Sequence, residues 1–547
     1  MKNKHCAAFF YFLIGNICIL VAGQCQVTLK QKFGQVQGNG LTSVTQSGNL
    51  YCSFLGIPYA LPPIGKLRFE PPQPMDLSTT SNFWYFTRQS PICIQNPIFT
   101  DLTNGQEDCL YLNVYTKSTK PEKLKPVIVV IIGTWFHSGS PYDNGVNRPD
   151  YLVDEDVVVV TFNYRLGILG FLYHEDAGIA GNNGLRDQQE VFKWVQKNIV
   201  AFGGDPKRVT LMGWSAGSAS ISYHLQAPSS CGLFHGAIMS SGTNLNPWAY
   251  QRNTKQCIRA LCKTLNIPCN RGGFKNILKQ IPANIFATEG FNYNTTISWF
   301  GELFPCFVPT SEENDATWGR AIVRDEQPRL IAQPLLSDVP LIIGHMVAEQ
   351  WEYYNVSMDT LTEKWNYSYP NTRTHIISPI RQYLISGTKE LANPSKQILV
   401  HASITHGVKQ FADYHSIKAT SKTYFYRFSH KNSSNDIGSF HGDGLQYIFV
   451  QNNPNNLWTY EDYNVRDRII RYITNFAKFG DPTPILDSLI TTPWHPYYDN
   501  GLRMEISHDS KMVEDIKEDA YYRWEAISQC LEFNICRKFF KLKSEWY

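Results

Sequence analysis

The sequence predicts an α/β protein built on a large, mostly parallel central sheet with helices on both faces. Three observations carry this reading. Short β-branched or apolar runs recur at Val127–Ile132, Val157–Phe162, Val209–Met212, Gly236–Met239, Leu341–Ile343 and Thr423–Phe428, the pattern of parallel strands buried on both sides. Helical patterns lie between them: in Leu185–Phe202, the apolar residues Leu185, Phe192, Val195, Ile199 and Phe202 recur mostly at helical spacing. Gly213-Trp214-Ser215-Ala216-Gly217 follows one strand-like run and opens a helical one. That places a serine on a strand-to-helix turn at the carboxyl end of the sheet, where open α/β sheets keep their sites.

At the amino end, Lys2 and Lys4 precede an apolar run through Phe9–Val21 and the small residues Ala22 and Gly23, which reads as a secretory signal over residues 1–23. A signal anchor is the alternative, because the run approaches the length of a span. The small residues and the polar continuation from Gln24 favour cleavage. Val27 to Phe69 follows with short alternating strands and the turn-rich Gly56-Ile57-Pro58-Tyr59. With no linker, low-complexity run or internal repeat, residues 24–547 read as one domain. The carboxyl end has no lipid-anchor tail, and its basic Arg537, Lys538, Lys541 and Lys543 read as a solvated face.

Composition narrows the function. A hydrophobic share of 43% supports a large core, and a net charge of +3 over 547 residues gives no argument for a nucleic-acid partner. No His/Cys cluster has metal-ligand spacing and no Gly-rich phosphate loop occurs, so no cofactor is expected. Of the 13 cysteines, Cys6 and Cys18 fall in the signal. The remaining number is odd, so at least one thiol stays free or pairs between chains in an oxidising compartment. Asn294, Asn355, Asn366 and Asn432 open N-x-S/T sequons, consistent with secretion of a glycoprotein.

The chemistry of the elbow explains its glycines. A serine on so sharp a turn needs neighbours without side chains, and the helix behind it aims free N–H groups at the spot where an oxyanion would form. The words around it resemble the type-B carboxylesterase family, the cholinesterase-like α/β-hydrolases. They are Phe202-Gly203-Gly204-Asp205-Pro206 before the elbow, Glu107-Asp108-Cys109-Leu110-Tyr111-Leu112-Asn113-Val114-Tyr115, Asn163-Tyr164-Arg165-Leu166-Gly167, and Gly181-Asn182-Asn183-Gly184-Leu185-Arg186-Asp187-Gln188. The likeness runs from about Gly34 to Trp494 and looks most like insect carboxylesterases.

The resemblance implies an α/β-hydrolase fold and a triad in the order serine, acid, histidine. Ser215 is the nucleophile. Glu349 holds the acid position in Gly344-His345-Met346-Val347-Ala348-Glu349, with Glu352 and Asp338 as alternatives because Gln350 replaces the glycine that normally follows. His441 matches the histidine motif in Gly438-Ser439-Phe440-His441-Gly442. Ser215 and His441 are expected in or near hydrogen-bond reach, with Glu349 on the far ring nitrogen. The oxyanion loop departs from the family. H-G-G-G-F becomes Ile132-Gly133-Thr134-Trp135-Phe136, leaving backbone donors at Thr134, Trp135 and Ala216, with strain wherever φ must be positive. Trp214 replaces the usual Glu or Gln and reads as wall; Ser218 replaces a common glycine.

Cys93 and Cys109 match the family's first disulfide. The loop between them has no tryptophan, so acetylcholine is not supported as substrate. The second bridge is rearranged among Cys257, Cys262 and Cys269: Cys269 resembles its first half, but the expected partner near Ile277–Leu278 is apolar. At least one of Cys25, Cys52, Cys231 or Cys306 should be unpaired, and Cys530 with Cys536 is a further candidate pair. The sequence thus points to a secreted serine esterase acting on small neutral or hydrophobic esters, slowed by its oxyanion loop and without a stable membrane anchor. A catalytically weak or inactive binding, storage or adhesion protein on the same fold is the alternative.

Overall fold

The structure is a computed structural model, and it describes residues 25–32, 34–95, 104–146, 148–269, 273–289, 306–312, 321–325, 329, 331–349, 401–431, 438–451, 458–498, 501–515 and 519–533. The signal, the four sequons, Gln350, Glu352, Cys536 and the basic tail lie outside these residues, as does the side chain of Cys530.

Strands in chain order are β1 (Gln26–Gln31), β2 (Gly34–Asn39), β3 (Leu41–Val44), β4 (Leu50–Pro58), β5 (Phe83–Tyr85), β6 (Tyr111–Thr116), β7 (Lys125–Ile131), β8 (Val158–Phe162), β9 (Tyr173–His174), β10 (Ile179–Ala180), β11 (Gly204–Trp214), β12 (Gly236–Ser240), β13 (Leu341–Met346), β14 (Thr423–Phe428), β15 (Leu502–Ile506) and β16 (Lys511–Glu514). Eleven of them form one sheet in the order β16-β15-β14-β13-β12-β11-β7-β8-β6-β4-β3. The run from β15 to β8 is parallel, and β16, β6, β4 and β3 pair antiparallel at the two ends. All six predicted strands are present, with β11 and β13 extended beyond their apolar runs.

Alternation along β7 shows how both faces are covered. Val127, Val129 and Ile131 pack into one core with Phe192, Val195 and Phe202 of the Asn183–Asn198 helix and the turn that ends it. Ile128 and Val130 pack into the other, with Val465, Ile469, Ile473 and Phe476 of the Tyr460–Phe479 helix. Side chains of a strand point alternately to opposite faces, so a sheet apolar on both must carry helices on both.

The family-like words turn out to be fastenings. Asp187 accepts hydrogen bonds from the Arg165 backbone N–H at 3.0 Å, its Nε at 2.8 Å and its Nη2 at 2.6 Å, and the pair is buried. Arg68 grips Glu107 with Nε at 2.6 Å and Nη2 at 2.5 Å while its Nη1 donates to the Ile281 carbonyl at 2.6 Å. Asn163 donates to the Pro91 carbonyl at 3.0 Å, and its own carbonyl accepts from Tyr59 Oη at 2.7 Å.

Four disulfides join Cys25–Cys52, Cys93–Cys109, Cys257–Cys306 and Cys262–Cys269. Cys231 is the unpaired member of the expected set and is exposed. The rearrangement is resolved by Cys269 turning back to Cys262 on the preceding helix, which leaves Cys257 for Cys306. The Cys93–Cys109 loop, with a sequence separation of 16, is of the size whose closure stabilises by about 3 kcal/mol through the unfolded chain.

Removing one partner of a buried ion pair strands the other charge. Asp187→Asn is therefore expected to lower stability by about 3–5 kcal/mol, read as a shift in the urea unfolding midpoint. A loss under about 1 kcal/mol would show that Arg165 finds other compensation.

Candidate active site

Ser215 stands between β11 and the Ala216–Gln226 helix with φ 55° and ψ −122°. A non-glycine residue at positive φ persists only where its surroundings over-determine it, and here they do. The Ser215 N–H donates to the Ser240 carbonyl at 2.9 Å and its carbonyl accepts from Ala219 N–H at 2.9 Å. Gly213 and Gly217 pack so closely that a Cβ on Gly213 would lie 2.5 Å from the Gly217 carbonyl carbon, and one on Gly217 would overlap the Ile131 carbonyl oxygen. Ser218, where the family has glycine, donates its hydroxyl to the Gly242 carbonyl at 2.5 Å and adds a tie to the same turn.

Glu349 and His441 follow β13 and β14 and meet. His441 Nδ1 and Glu349 Oε2 are 2.6 Å apart, with Glu349 fully buried and the histidine side chain 9% exposed. The other carboxylate oxygen accepts from Ser241 Oγ at 2.5 Å and Met346 N–H at 2.7 Å. Burial alone would raise the Glu349 pKa; the charge of His441 and the hydrogen bonds from His441, Ser241 and Met346 outweigh it and hold the carboxyl below its ordinary value. Ala348 N–H donates to the Ser439 carbonyl at 3.0 Å, lashing the acid loop to the histidine loop. Asp338, the alternative acid among the described residues, instead binds Thr420 and the Ser421 N–H at a distant strand end.

With Nδ1 taken by Glu349, Nε2 is the nitrogen left for Ser215. Among the described residues no hydrogen bond joins Ser215 Oγ to His441, and such contacts commonly tighten only around substrate. The Trp214 indole packs on the imidazole, 4.7 Å between ring centres and inclined 42°. Trp214 is therefore wall, as read from the sequence, but wall against the histidine itself.

The loop after β7 departs from an open cradle of glycines. Thr134 N–H donates to the Ser138 carbonyl at 2.7 Å, and the Thr134 carbonyl accepts from His137 and Ser138 N–H at 3.0 and 3.1 Å. The turn closes on itself and engages one of the three expected oxyanion donors. Positive φ falls on Trp135 (57°) and Phe136 (62°), not on Thr134. Aromatic packing holds these strained residues: Trp135 meets Trp248 edge-on at 5.3 Å, and Phe136, fully buried, meets Phe171 at 5.3 Å. His137 Nε2 lies 2.8 Å from the Cys306 carbonyl, and burial pushes its pKa down to about 4, so it is neutral at physiological pH. Beside Gly133 stands the buried hydroxyl of Tyr164, without a partner among the described residues.

The sequence reading missed Ser241 as a hydroxyl donor to Glu349, although the Ser240-Ser241-Gly242 end of β12 was a signal for it. Because Glu349 is depressed in the folded state, it contributes stability that is fully present above the unfolded glutamate pKa and is lost as pH falls through the lower folded value. Urea midpoints measured from about pH 6 to pH 3 should show the parent's advantage over Glu349→Gln shrinking below about pH 4.5. An advantage that grows on acidification would contradict the depressed carboxylate.

Comparisons with known proteins cover most of the chain. A profile described as the carboxylesterase family matches residues 24–524. The chain is 31% identical to juvenile hormone esterase of Tribolium castaneum over 83% of each chain. It is 30% identical to esterase FE4 of Myzus persicae, covering 80% of this chain and 82% of that one. Identity to bile salt-activated lipase of Rattus norvegicus is 30%, over 93% of this chain and 87% of that one. With its α/β-hydrolase sheet and a match that spans nearly its whole length, the chain belongs to the carboxylesterase family.

Proposed function

We propose that the protein is a secreted serine carboxylesterase that cleaves small neutral or hydrophobic carboxylic esters through an acyl-enzyme on Ser215, and that its oxyanion loop slows it. The observation that carries the reading is the buried Glu349–His441 hydrogen bond of 2.6 Å, with the His441 ring packed on Trp214, the residue before Ser215. Ser215 Oγ attacks the ester carbonyl while His441 Nε2 takes its proton. His441 returns that proton to the departing alcohol, then takes one from water, whose oxygen attacks the acyl carbon; as the acyl–Oγ bond breaks, His441 hands this proton to Ser215 Oγ and the acid leaves. Glu349 stays ionised, fixes the tautomer and stabilises the imidazolium.

The developing oxyanion is received by the N–H groups of Ala216, at the start of its helix, and of Trp135, with Thr134 recruited only by opening its turn. A lost oxyanion donor costs roughly 3 kcal/mol in the transition state, so kcat falls while KM changes little. Secretion is supported by the signal-like amino end and by four disulfides, which persist in oxidising compartments. Among the described residues no helix is long and apolar enough to cross a membrane. In this reading residues 24–547 act as one catalytic domain, glycosylated at Asn294, Asn355, Asn366 and Asn432. The closed Thr134–Ser138 turn favours a second reading, a protein that keeps the fold and works by binding.

Labelling with a fluorophosphonate separates the two. The parent should label, Ser215→Ala should not, and the Thr134→Gly/Trp135→Gly double variant should raise kcat on an activated ester at least about tenfold, roughly 1.4 kcal/mol. Failure of the folded parent to label would replace the enzyme by the binding protein. Ready labelling with no gain in the double variant would clear the loop of limiting the rate.

A further inference from the structure

Glu349 holds the His441 imidazole at Nδ1, 2.6 Å from Oε2, and among the described residues no hydrogen bond holds Nε2. A hydrogen bond weakens steeply only after tens of degrees of misalignment, so this one fixes Nδ1 more closely than the far side of the ring. The far side carries Nε2, the atom that has to meet Ser215 Oγ. Trp214 bears on the ring as well: the two ring centres are 4.7 Å apart and the planes are inclined 42°. Gly442, the next residue in the chain, has φ 95°, and a Cβ on it would come within 3.0 Å of Trp214 Cζ2 and 3.4 Å of Cη2. The indole therefore lies against the histidine ring and against the backbone that follows it.

Trp214 is itself fixed by the sheet. It ends β11 in register with Ser240 of β12 and packs against the core cluster that includes Met212, Ile238 and Met346. Its indole N–H has no hydrogen-bond partner among the described residues, so packing holds the ring in place. We propose that Trp214 is a positioning residue for the reaction: its indole keeps the His441 imidazole at the tilt that brings Nε2 to Ser215 Oγ, complementing the hydrogen bond at Nδ1. This rests on the esterase reading and adds to it a residue that acts through the general base. Misplacing a reacting group by about 1 Å can cost on the order of a hundredfold in rate, and a group that aims the base without binding substrate is felt in kcat rather than in KM.

Trp214→Leu removes the aromatic face and keeps an apolar side chain, whereas Trp214→Phe keeps a ring. On an activated ester, Trp214→Leu should lower kcat at least about tenfold with KM within about twofold of the parent, and should slow fluorophosphonate labelling of Ser215 by a similar factor. Trp214→Phe should stay within about threefold of the parent in both. A merely structural role would lower the unfolding midpoint of Trp214→Leu and leave kcat of the folded protein unchanged. Should Trp214→Leu fail to unfold cooperatively, Trp214→Met carries the same test. Crystals of the substituted protein should show the imidazole turned from its place in the parent while Glu349 stays put. Parent-like kcat in Trp214→Leu, equal losses in the Leu and Phe variants, a change confined to KM, or an unmoved imidazole would each overturn the proposal. A folded parent that does not label would remove the esterase reading, and the crystal comparison then decides by itself whether the indole holds the ring.

Discussion

The structure depends on holding Ser215 at φ 55°. An ordinary L-residue avoids that region because its Cβ crowds the backbone, so the turn must be imposed by what surrounds it. β11 lies in the middle of the parallel run, between β7 and β12, and fixes one side. The Ala216–Gln226 helix, buried along its whole length, fixes the other. The close approach of Gly217 to the Ile131 carbonyl means that the helix can lie this near the sheet only without a side chain there. Strain of order 1–3 kcal/mol at one residue is sustained by two cores that pack the sheet from both faces.

From that fixed point the two halves of the site diverge. On the acid–base side, the acid is fully held: Glu349 has three donors, and the strands that carry it and His441 are neighbours in the sheet. On the oxyanion side, the chain spends Thr134 N–H on its own turn and places two aromatic residues at positive φ. The aromatic packing around Trp135 and Phe136 stabilises a loop shape, whereas glycines would leave backbone N–H groups open to a ligand. The proposed nucleophile is thus well supported by its neighbours, whereas the loop that would receive a tetrahedral oxyanion spends one of its donors on itself. Trp214 joins the site to the core, packing on His441 and against the cluster that includes Met212 and Ile238.

Much of this was legible in the sequence. The buried strands announced themselves by β-branched runs, and Glu349 and His441 were suggested by the family resemblance of the short motifs that follow two of those strands. Other features depend on the path of the chain. A hydrogen bond from Thr134 to Ser138 is set by a turn whose residues carry no turn signature. Cys257–Cys306 spans a sequence separation of 49, beyond any spacing argument. Ser241 reaches Glu349 across 108 residues. Arg165 and Asp187 appeared as words typical of a family; that they are one buried ion pair is visible only once the strand and helix carrying them are packed together.

The central claim is that Ser215 is a competent nucleophile facing a partly closed oxyanion loop. The most direct measurement is a crystal structure of the phosphonylated protein. The account predicts a covalent bond to Ser215 Oγ, with the phosphoryl oxygen about 3 Å from Ala216 N–H and Thr134 N–H still on the Ser138 carbonyl. A loop opened so that the Thr134 and Trp135 N–H groups both reach that oxygen would contradict it, as would an adduct on any other side chain.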